Sequence, residues 1–153
     1  MTNIDFRDHL RKALFLPDMK ATNKEEALEE LLDLFVDQKY VKNKDIAFEM
    51  LKKRELMGST SLSMGVAVPH GRTTATADVV IAFGHSEKGV EFGADDNEPV
   101  TLFFMIIAPQ KDEGNVYLPL LGSLVTILKN EKKRNALKKV KEFDELLAIM
   151  NGE

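Results

Sequence analysis

This chain contains no cysteine, and that absence excludes disulfide bonds and thiolate metal sites. It also fits a protein of the reducing cytoplasm, which is the location we expect. Long apolar runs are missing too: the longest, Val100 to Ala108, has about nine residues, whereas a membrane helix needs about 20. The amino-terminal segment mixes acidic and basic residues and lacks the apolar core of a signal peptide. We therefore expect a soluble protein without direct membrane insertion, reaching a membrane only through a partner.

A strong positive charge is also lacking. The chain has 21 basic and 25 acidic residues and a formal net charge of -4. A nucleic-acid-binding protein would usually be basic, so no nucleic-acid partner is expected. Basic residues do cluster near the carboxyl terminus, but they alternate with apolar residues, which indicates a solvated helix face. They are Lys129, Lys132, Lys133, Arg134, Lys138, Lys139 and Lys141.

Helical periodicity dominates both ends of the chain. Thr22 and Glu25 have the spacing of a capping box, which predicts the start of a helix. Asn43 is the predicted cap of a second helix, which Gly58 ends. The second helix is expected to bury Ile46, Ala47, Met50 and Leu51. Three helices are predicted after Tyr117: one to Leu128, a short one that Leu137 and Val140 mark, and a last one over 143–150.

The middle of the chain predicts strands instead. The segment 61–68 is short and β-branched, and 79–83 and 100–107 are apolar at both parities, as in strands covered on both faces. Turns are expected at 88–89 and 94–99. We therefore predict an α/β fold in which a central mixed β-sheet is flanked by helices on both faces. At 153 residues, the chain is expected to form a single domain over 1–153.

The segment Pro69-His70-Gly71 carries the clearest chemical signal. A predicted buried strand ends at the proline, which fixes the backbone, and the glycine permits a turn after the histidine. This pattern places an imidazole at the carboxyl end of a central strand, where functional groups of α/β sheets collect. A histidine can carry a phosphoryl group on one ring nitrogen while the other keeps a proton. Arg54 and Arg72 are the candidates to neutralise phosphoryl charge.

Other interpretations of His70 stay open on the residues alone. A histidine after proline is often a polar turn residue. Metal binding is not indicated, because His9 and His85 are distant in sequence and no carboxylate has ligand spacing. No cofactor is expected. A hydrolytic serine is also not indicated, because no G-x-S-x-G motif occurs.

Four features of the sequence form one pattern: Arg54-Glu55, Ser59-Thr60, Gly65-Val66-Ala67-Val68-Pro69-His70-Gly71-Arg72, and the order of elements from Gly89 onward. In these features the chain resembles the IIA components of the fructose–mannitol–nitrogen class of the sugar phosphotransferase system. The resemblance implies that His70 is the phosphorylated residue and that Arg54 neutralises phosphoryl charge. An alternative role for Arg54 is a cation at a helix carboxyl end.

The resemblance also implies a phosphotransferase component with a phosphohistidine intermediate. The expected donor is a histidine phosphocarrier protein, which enzyme I charges from phosphoenolpyruvate. The expected acceptor is a IIB domain, which takes the group on a cysteine or a histidine and then phosphorylates sugar during transport. The pattern does not indicate which ring nitrogen of His70 is used, or which sugar.

The sequence departs from this family at two places. Where members have a second histidine beside the active one, this chain has Tyr117, whose hydroxyl can donate a hydrogen bond but whose ring cannot become cationic. A core aromatic is the alternative role. The stretch 61–64 also replaces glycines that the family often shows. Two further hypotheses therefore stand: a nitrogen-type regulator that binds other proteins, and a degenerate binding module that takes no phosphate. His85 is expected in an exposed loop.

Overall fold

The computed structural model describes residues 4–152 and shows a six-stranded mixed sheet with helices on both faces. The strands are β1 (Leu10–Leu16), β2 (Ser61–Ser63), β3 (Val66–Ala67), β4 (His70–Thr73), β5 (Val80–Val90) and β6 (Val100–Pro109). The helices are α1 (Lys24–Asp37), α2 (Lys44–Leu56), α3 (Tyr117–Leu128), α4 (Glu131–Leu137) and α5 (Phe143–Met150), and a short 3-10 turn covers Phe6–Asp8. The predicted fold class is confirmed.

Strand β6 organises the sheet. The strand order is β1-β5-β6-β3-β2, and β4 also pairs with β6. Strands β3 and β4 both run parallel to β6, whereas β5 runs antiparallel to it. One long strand therefore aligns the two short segments on either side of Pro69.

The side chains of β6 alternate between two hydrophobic cores. Phe103, Met105 and Ile107 pack in the core that α1 and α2 cover. Their neighbours Leu102, Phe104 and Ile106 pack in the core that α3, α4 and α5 cover. Burying each such side chain contributes roughly 1.5–3 kcal/mol. The continuous apolar run in the sequence thus has the predicted cause, which is helix coverage on both faces of the sheet.

Helix α1 is capped one residue later than predicted. The Asn23 side chain accepts a hydrogen bond from the Glu26 amide at 3.0 Å. The Glu26 carboxylate in turn accepts from the amide and hydroxyl of Thr22, both at 3.0 Å. The prediction that Thr22 and Glu25 form the box was wrong, because the neighbouring amide side chain takes the cap position.

Helix α2 begins as predicted, since the Asn43 side chain accepts from the Ile46 amide at 3.2 Å. Its buried face differs in part. Ala47, Leu51 and Glu55 repeat every fourth residue and are buried. Ile46 was predicted to be buried but is 47% exposed, because it lies outside this four-residue stripe.

Three features of the sheet differ from the sequence expectations. Strand β1 was not predicted, because only Leu10 and Leu14 are buried in it and basic residues interrupt its pattern. His85 was expected in a loop but lies within β5, where it pairs with Leu102 and is partly buried. The predicted turn at 88–89 is an irregularity inside β5, where the register with β6 shifts between His85 and Val90.

The last third of the chain follows the predictions except that α4 ends at Leu137, so Val140 lies in the connection before α5. Pro119 lies in the first turn of α3, and α5 covers the predicted residues. Most of the basic residues near the carboxyl terminus are exposed, which confirms a solvated surface. Within 4–152, no helix combines the length and apolar character that a membrane crossing requires.

The turn between β2 and β3 has an unusual backbone. Ser63, Met64 and Gly65 have φ values of 65°, 59° and 77°, all in the left-handed region. A residue other than glycine pays about 1–2 kcal/mol for that conformation. The Met64 amide donates to the Asp96 carboxylate at 2.9 Å, which holds the turn against the loop before β6. The turn lies just before the segment that carries His70.

We expect Ser63→Gly to raise the free energy of unfolding by about 0.5–1 kcal/mol, because glycine adopts this φ without steric cost. The Ser63 side chain makes no hydrogen bond within the described residues, so no contact is lost. Ser61→Gly is the matched control, since the Ser61 hydroxyl donates to Val66 O and accepts from the Ser63 amide. That change should destabilise the protein by about 1 kcal/mol. Urea unfolding followed by circular dichroism measures the free energy of unfolding of both variants. Changes of the same sign in the two variants would contradict the prediction.

Candidate functional site

His70 is the first residue of β4, directly after Pro69. The two residues between β3 and β4 do not break the alignment, because Pro69 O accepts a hydrogen bond from the Ile106 amide at 2.9 Å. The prediction that His70 follows a central strand is confirmed, because β3 pairs with β6 on one side and with β2 on the other. Strand β4 pairs with β6 alone, so His70 lies on a sheet edge, where its ring is partly exposed.

The imidazole of His70 is held by a backbone carbonyl two residues earlier in the chain. His70 Nδ1 lies 2.7 Å from Val68 O. A carbonyl oxygen only accepts, so Nδ1 carries the proton and donates it in this bond. The other nitrogen, Nε2, makes no hydrogen bond to a residue that the structure describes. The lone pair of Nε2 is therefore not engaged by any described residue and is chemically able to act as a nucleophile.

Gly71 is required by the helix that covers β4. A Cβ at this position would overlap the Met50 side chain of α2. Gly71 therefore faces α2, and its neighbours His70 and Arg72 project to the other side of the strand. That side is where α3 begins. The glycine was predicted for its turn-forming freedom, but close packing is its observed role.

Arg54 lies near the end of α2, where Nη1 donates to Gly58 O at 2.9 Å. It makes no ion pair with a carboxylate of residues 4–152. Its charge is close to His70, since it lowers the pKa of the imidazole. Arg54 thus caps the helix carboxyl end, which is the alternative role, and its positive charge lies near the imidazole of His70.

Tyr117, the first residue of α3, lies beside the histidine. The two ring centroids are 6.3 Å apart, and Tyr117 is 5% exposed. Its amide donates to Asp112 Oδ2 at 2.7 Å, which fixes the start of the helix. The hydroxyl makes no hydrogen bond to any residue in 4–152. Tyr117 is therefore both a core aromatic and a neighbour of His70. Burial raises the pKa of its phenol, so the ring stays neutral at ordinary pH.

Sequence reasoning missed two groups that shape this region. Glu55 is 8% exposed and accepts from the amide and hydroxyl of Thr60, while Lys24 Nζ lies 3.2 Å from it. Asp112 caps α3 from the preceding loop. The only signal for Asp112 was an acid shortly before a predicted helix. No sequence signal marks Glu55 as buried. In the described part of the chain, no group of His and carboxylate residues could hold a metal ion.

Burial is the main influence on the charge of His70 and lowers the pKa of the imidazole from its ordinary value near 6.5. The Arg54 guanidinium lowers this pKa further, whereas the Val68 carbonyl and Glu55 oppose the shift. The imidazole is therefore neutral at neutral pH, which keeps the Nε2 lone pair available.

We expect the His70 titration midpoint, read from its ring proton by NMR, to lie below 6.5. The same shift has a stability consequence. As pH falls below 6.5, the unfolded chain binds a proton before the folded chain does, so the folded state loses stability until its own pKa is passed. His70→Gln removes this loss. A midpoint at or above 6.5, or equal acid dependence in the two proteins, would contradict the geometry.

Comparison with known proteins shows which family the chain is similar to. The family model described as "Phosphoenolpyruvate-dependent sugar phosphotransferase system, EIIA 2" matches residues 8–153. The chain is 38% identical over 114 residues to a "PTS system fructose-specific EIIA component" of Haloferax volcanii, covering 74% of this chain and 73% of that protein.

Two solved structures are similar in fold. The nitrogen regulatory protein IIA-Ntr from Neisseria meningitidis has a TM-score of 0.84 and 31% identity, over 92% of this chain and 95% of that one. A complex of enzyme IIA-mannitol with phosphorylated enzyme IIB-mannitol from Escherichia coli has a TM-score of 0.77 and 24% identity, over 94% and 99% of the two chains. With the family model spanning nearly the whole sequence, this chain belongs to the EIIA 2 family of the phosphoenolpyruvate-dependent sugar phosphotransferase system.

Proposed function

We propose that this protein is a phosphocarrier that accepts a phosphoryl group on Nε2 of His70. The observation that carries the proposal is the hydrogen bond from Nδ1 to Val68 O, which leaves Nε2 as the unprotonated nitrogen at an exposed edge. Lowering of the His70 pKa keeps that nitrogen unprotonated at neutral pH. The family membership supports the same chemistry.

The expected donor is a phosphorylated histidine phosphocarrier protein. Its phosphorus lies in line between the donor nitrogen and His70 Nε2 during transfer. The bond to the donor breaks as the bond to Nε2 forms, and the electron pair of the broken bond returns to the donor ring. Arg54 stabilises the charge on the transferring oxygens, which is the main catalytic contribution in phosphoryl transfer.

The expected acceptor is a IIB domain. Support comes from the mannitol neighbour, which is described in complex with phosphorylated enzyme IIB. Attack by the IIB nucleophile on phosphorus releases His70 with Nδ1 still protonated, so the site returns to its starting state. Because His70 is partly exposed at a sheet edge, both partners can approach the same nitrogen in turn.

A nitrogen-type regulator is the second candidate, favoured by the similarity to IIA-Ntr at a TM-score of 0.84 and 31% identity. In that case the phosphorylation of His70 is the same, but the output is binding of another protein. The two candidates differ in whether the phosphoryl group moves on to a IIB domain.

The test is intact-mass measurement after incubation with phosphoenolpyruvate, enzyme I and the histidine phosphocarrier protein. We expect wild type to gain one acid-labile phosphoryl group, His70→Gln to gain none, and the control His85→Gln to behave as wild type. Adding the IIB domain should discharge a phosphocarrier and leave a regulator charged. If wild type gains nothing from authentic partners, the degenerate binding module replaces both candidates.

A further inference from the structure

Arg72 is placed in an unusual way for an exposed residue. Its guanidinium carbon lies 5.0 Å from the centroid of the Tyr117 ring, a cation–π arrangement. It makes no hydrogen bond and no ion pair within residues 4–152. The contact with the ring therefore holds the guanidinium beside Tyr117, while its N–H groups have no partner among the described residues and are available for an anion.

The position of Arg72 relative to His70 follows from the strand. The two residues alternate with Gly71 on β4, so their side chains leave the same side of the sheet, with their Cα atoms roughly 6.6 Å apart. The Tyr117 ring contacts both, since its centroid also lies 6.3 Å from that of the imidazole. One aromatic ring thus connects the histidine with an unpaired cation.

We propose that Arg72, held on the Tyr117 ring, binds the phosphoryl oxygens of phosphorylated His70. This inference rests on the proposed function and deepens it. A phosphoryl group on Nε2 carries negative charge that a guanidinium fork matches with two parallel hydrogen bonds. Tyr117 acts here as a positioning residue, through its ring. The chain thereby places a cation next to the phosphoryl group although Tyr117 itself cannot be one.

A small phosphoryl donor separates this chemistry from partner docking. With phosphoramidate, the Nε2 lone pair attacks phosphorus, the nitrogen–phosphorus bond to His70 forms, and the donor bond breaks. Ammonia leaves with the electron pair of the broken bond, because its nitrogen is already protonated before attack. Nδ1 keeps its proton and its bond to Val68 O. No oxidant, reductant or further reactant is needed.

The experiment measures the phosphorylation rate by intact mass and the titration of the phosphoryl group by ³¹P NMR. Arg72→Gln should slow phosphorylation by about tenfold or more. Arg72→Lys should recover part of the rate. Loss of the neighbouring cation should also raise the pKa of the phosphoryl group, which a purely structural role would not do.

Variants of Tyr117 test whether its ring positions Arg72. Tyr117→Leu removes the ring and should slow phosphorylation about as much as Arg72→Gln, while Tyr117→Phe keeps the ring and should lose clearly less. Lys139→Gln, an exposed cation on the carboxyl-terminal surface, is the matched control. Unfolding curves of each variant show whether the fold is kept.

The outcomes separate this inference from the proposed function. If wild type is phosphorylated on His70 but Arg72→Gln matches it in rate and in ³¹P titration, Arg72 does not bind the group and the inference fails alone. Equal losses of phosphorylation rate in Tyr117→Phe and Tyr117→Leu would assign the role of Tyr117 to its hydroxyl. That result would overturn the inference that its ring positions Arg72. If wild type takes no phosphoryl group from phosphoramidate or from the phosphocarrier, the proposed function fails and the inference with it.

Discussion

Glu55→Ala should lower the free energy of unfolding by about 3 kcal/mol, although glutamate is usually a surface residue. The Glu55 side chain is 5% exposed, and one of its oxygens accepts from the Thr60 amide at 3.1 Å and pairs with Lys24 Nζ at 3.2 Å. The other oxygen accepts from the Thr60 hydroxyl. Alanine leaves a buried amide and hydroxyl without acceptors and a partly buried ammonium without its counter-charge.

Glu49→Ala is the matched control, because Glu49 is the same residue type on the same helix. Its carboxylate pairs with Lys52 Nζ at 2.9 Å but is 60% exposed. An exposed pair of this kind contributes about 0–1 kcal/mol. Glu55→Gln keeps the hydrogen bonds without the charge and should fall between the two. Urea unfolding curves, fitted with one common m-value, measure the free energy of unfolding of all three variants. A loss in Glu55→Ala no larger than in Glu49→Ala would contradict the buried network.

The buried glutamate shows where sequence reasoning stopped. The position of His70 after a buried strand could be predicted, because the residues that place it there, from Val66 to Pro69, are adjacent in the chain and their constraints are local. Strand β6 could be predicted as well, since the apolar pattern of 100–107 covers most of the observed strand Val100–Pro109. Glu55 could not, because its burial depends on Thr60 and Lys24, which reach it only through the packing of α1, α2 and the turn after α2.

The other contacts of the site also depend on the packing of elements that are distant in sequence. Tyr117 and His70 are far apart in sequence, and the resemblance implied their closeness where residue spacing alone did not. Contact between Arg72 and the Tyr117 ring depends on the register of β4 against β6, which no sequence pattern specified. The left-handed turn at Ser63 was noted as a missing glycine, yet its φ values emerged only from the structure.

Arg54→Gln should slow phosphoryl transfer to His70 by about 100-fold or more, which is the effect of removing one preorganised charged donor from a transition state. Arg54 is suited to this role because its charge reaches the imidazole and no carboxylate of residues 4–152 neutralises it. The variant should lose little stability, since the hydrogen bond from Arg54 to Gly58 O is at the surface and contributes about 1 kcal/mol.

Arg134→Gln is the matched control for this prediction. Its Nη1 also donates to a backbone carbonyl, that of Leu128, at 3.0 Å. Leu128 ends α3, whose other end begins with Tyr117, about 17 Å away along the helix. The control therefore removes the same group and the same kind of hydrogen bond far from His70, and its transfer rate should match wild type.

A second readout distinguishes a charge effect from a structural one. Removing Arg54 takes away one of the influences that lower the pKa of His70, so the midpoint should rise in Arg54→Gln and stay unchanged in Arg134→Gln. A slower transfer with an unchanged midpoint would mean that Arg54 acts through the turn at Gly58. An unchanged rate from phosphoramidate and from the phosphocarrier protein would remove Arg54 from the site, and Arg72 would then be the only arginine proposed to bind the phosphoryl group.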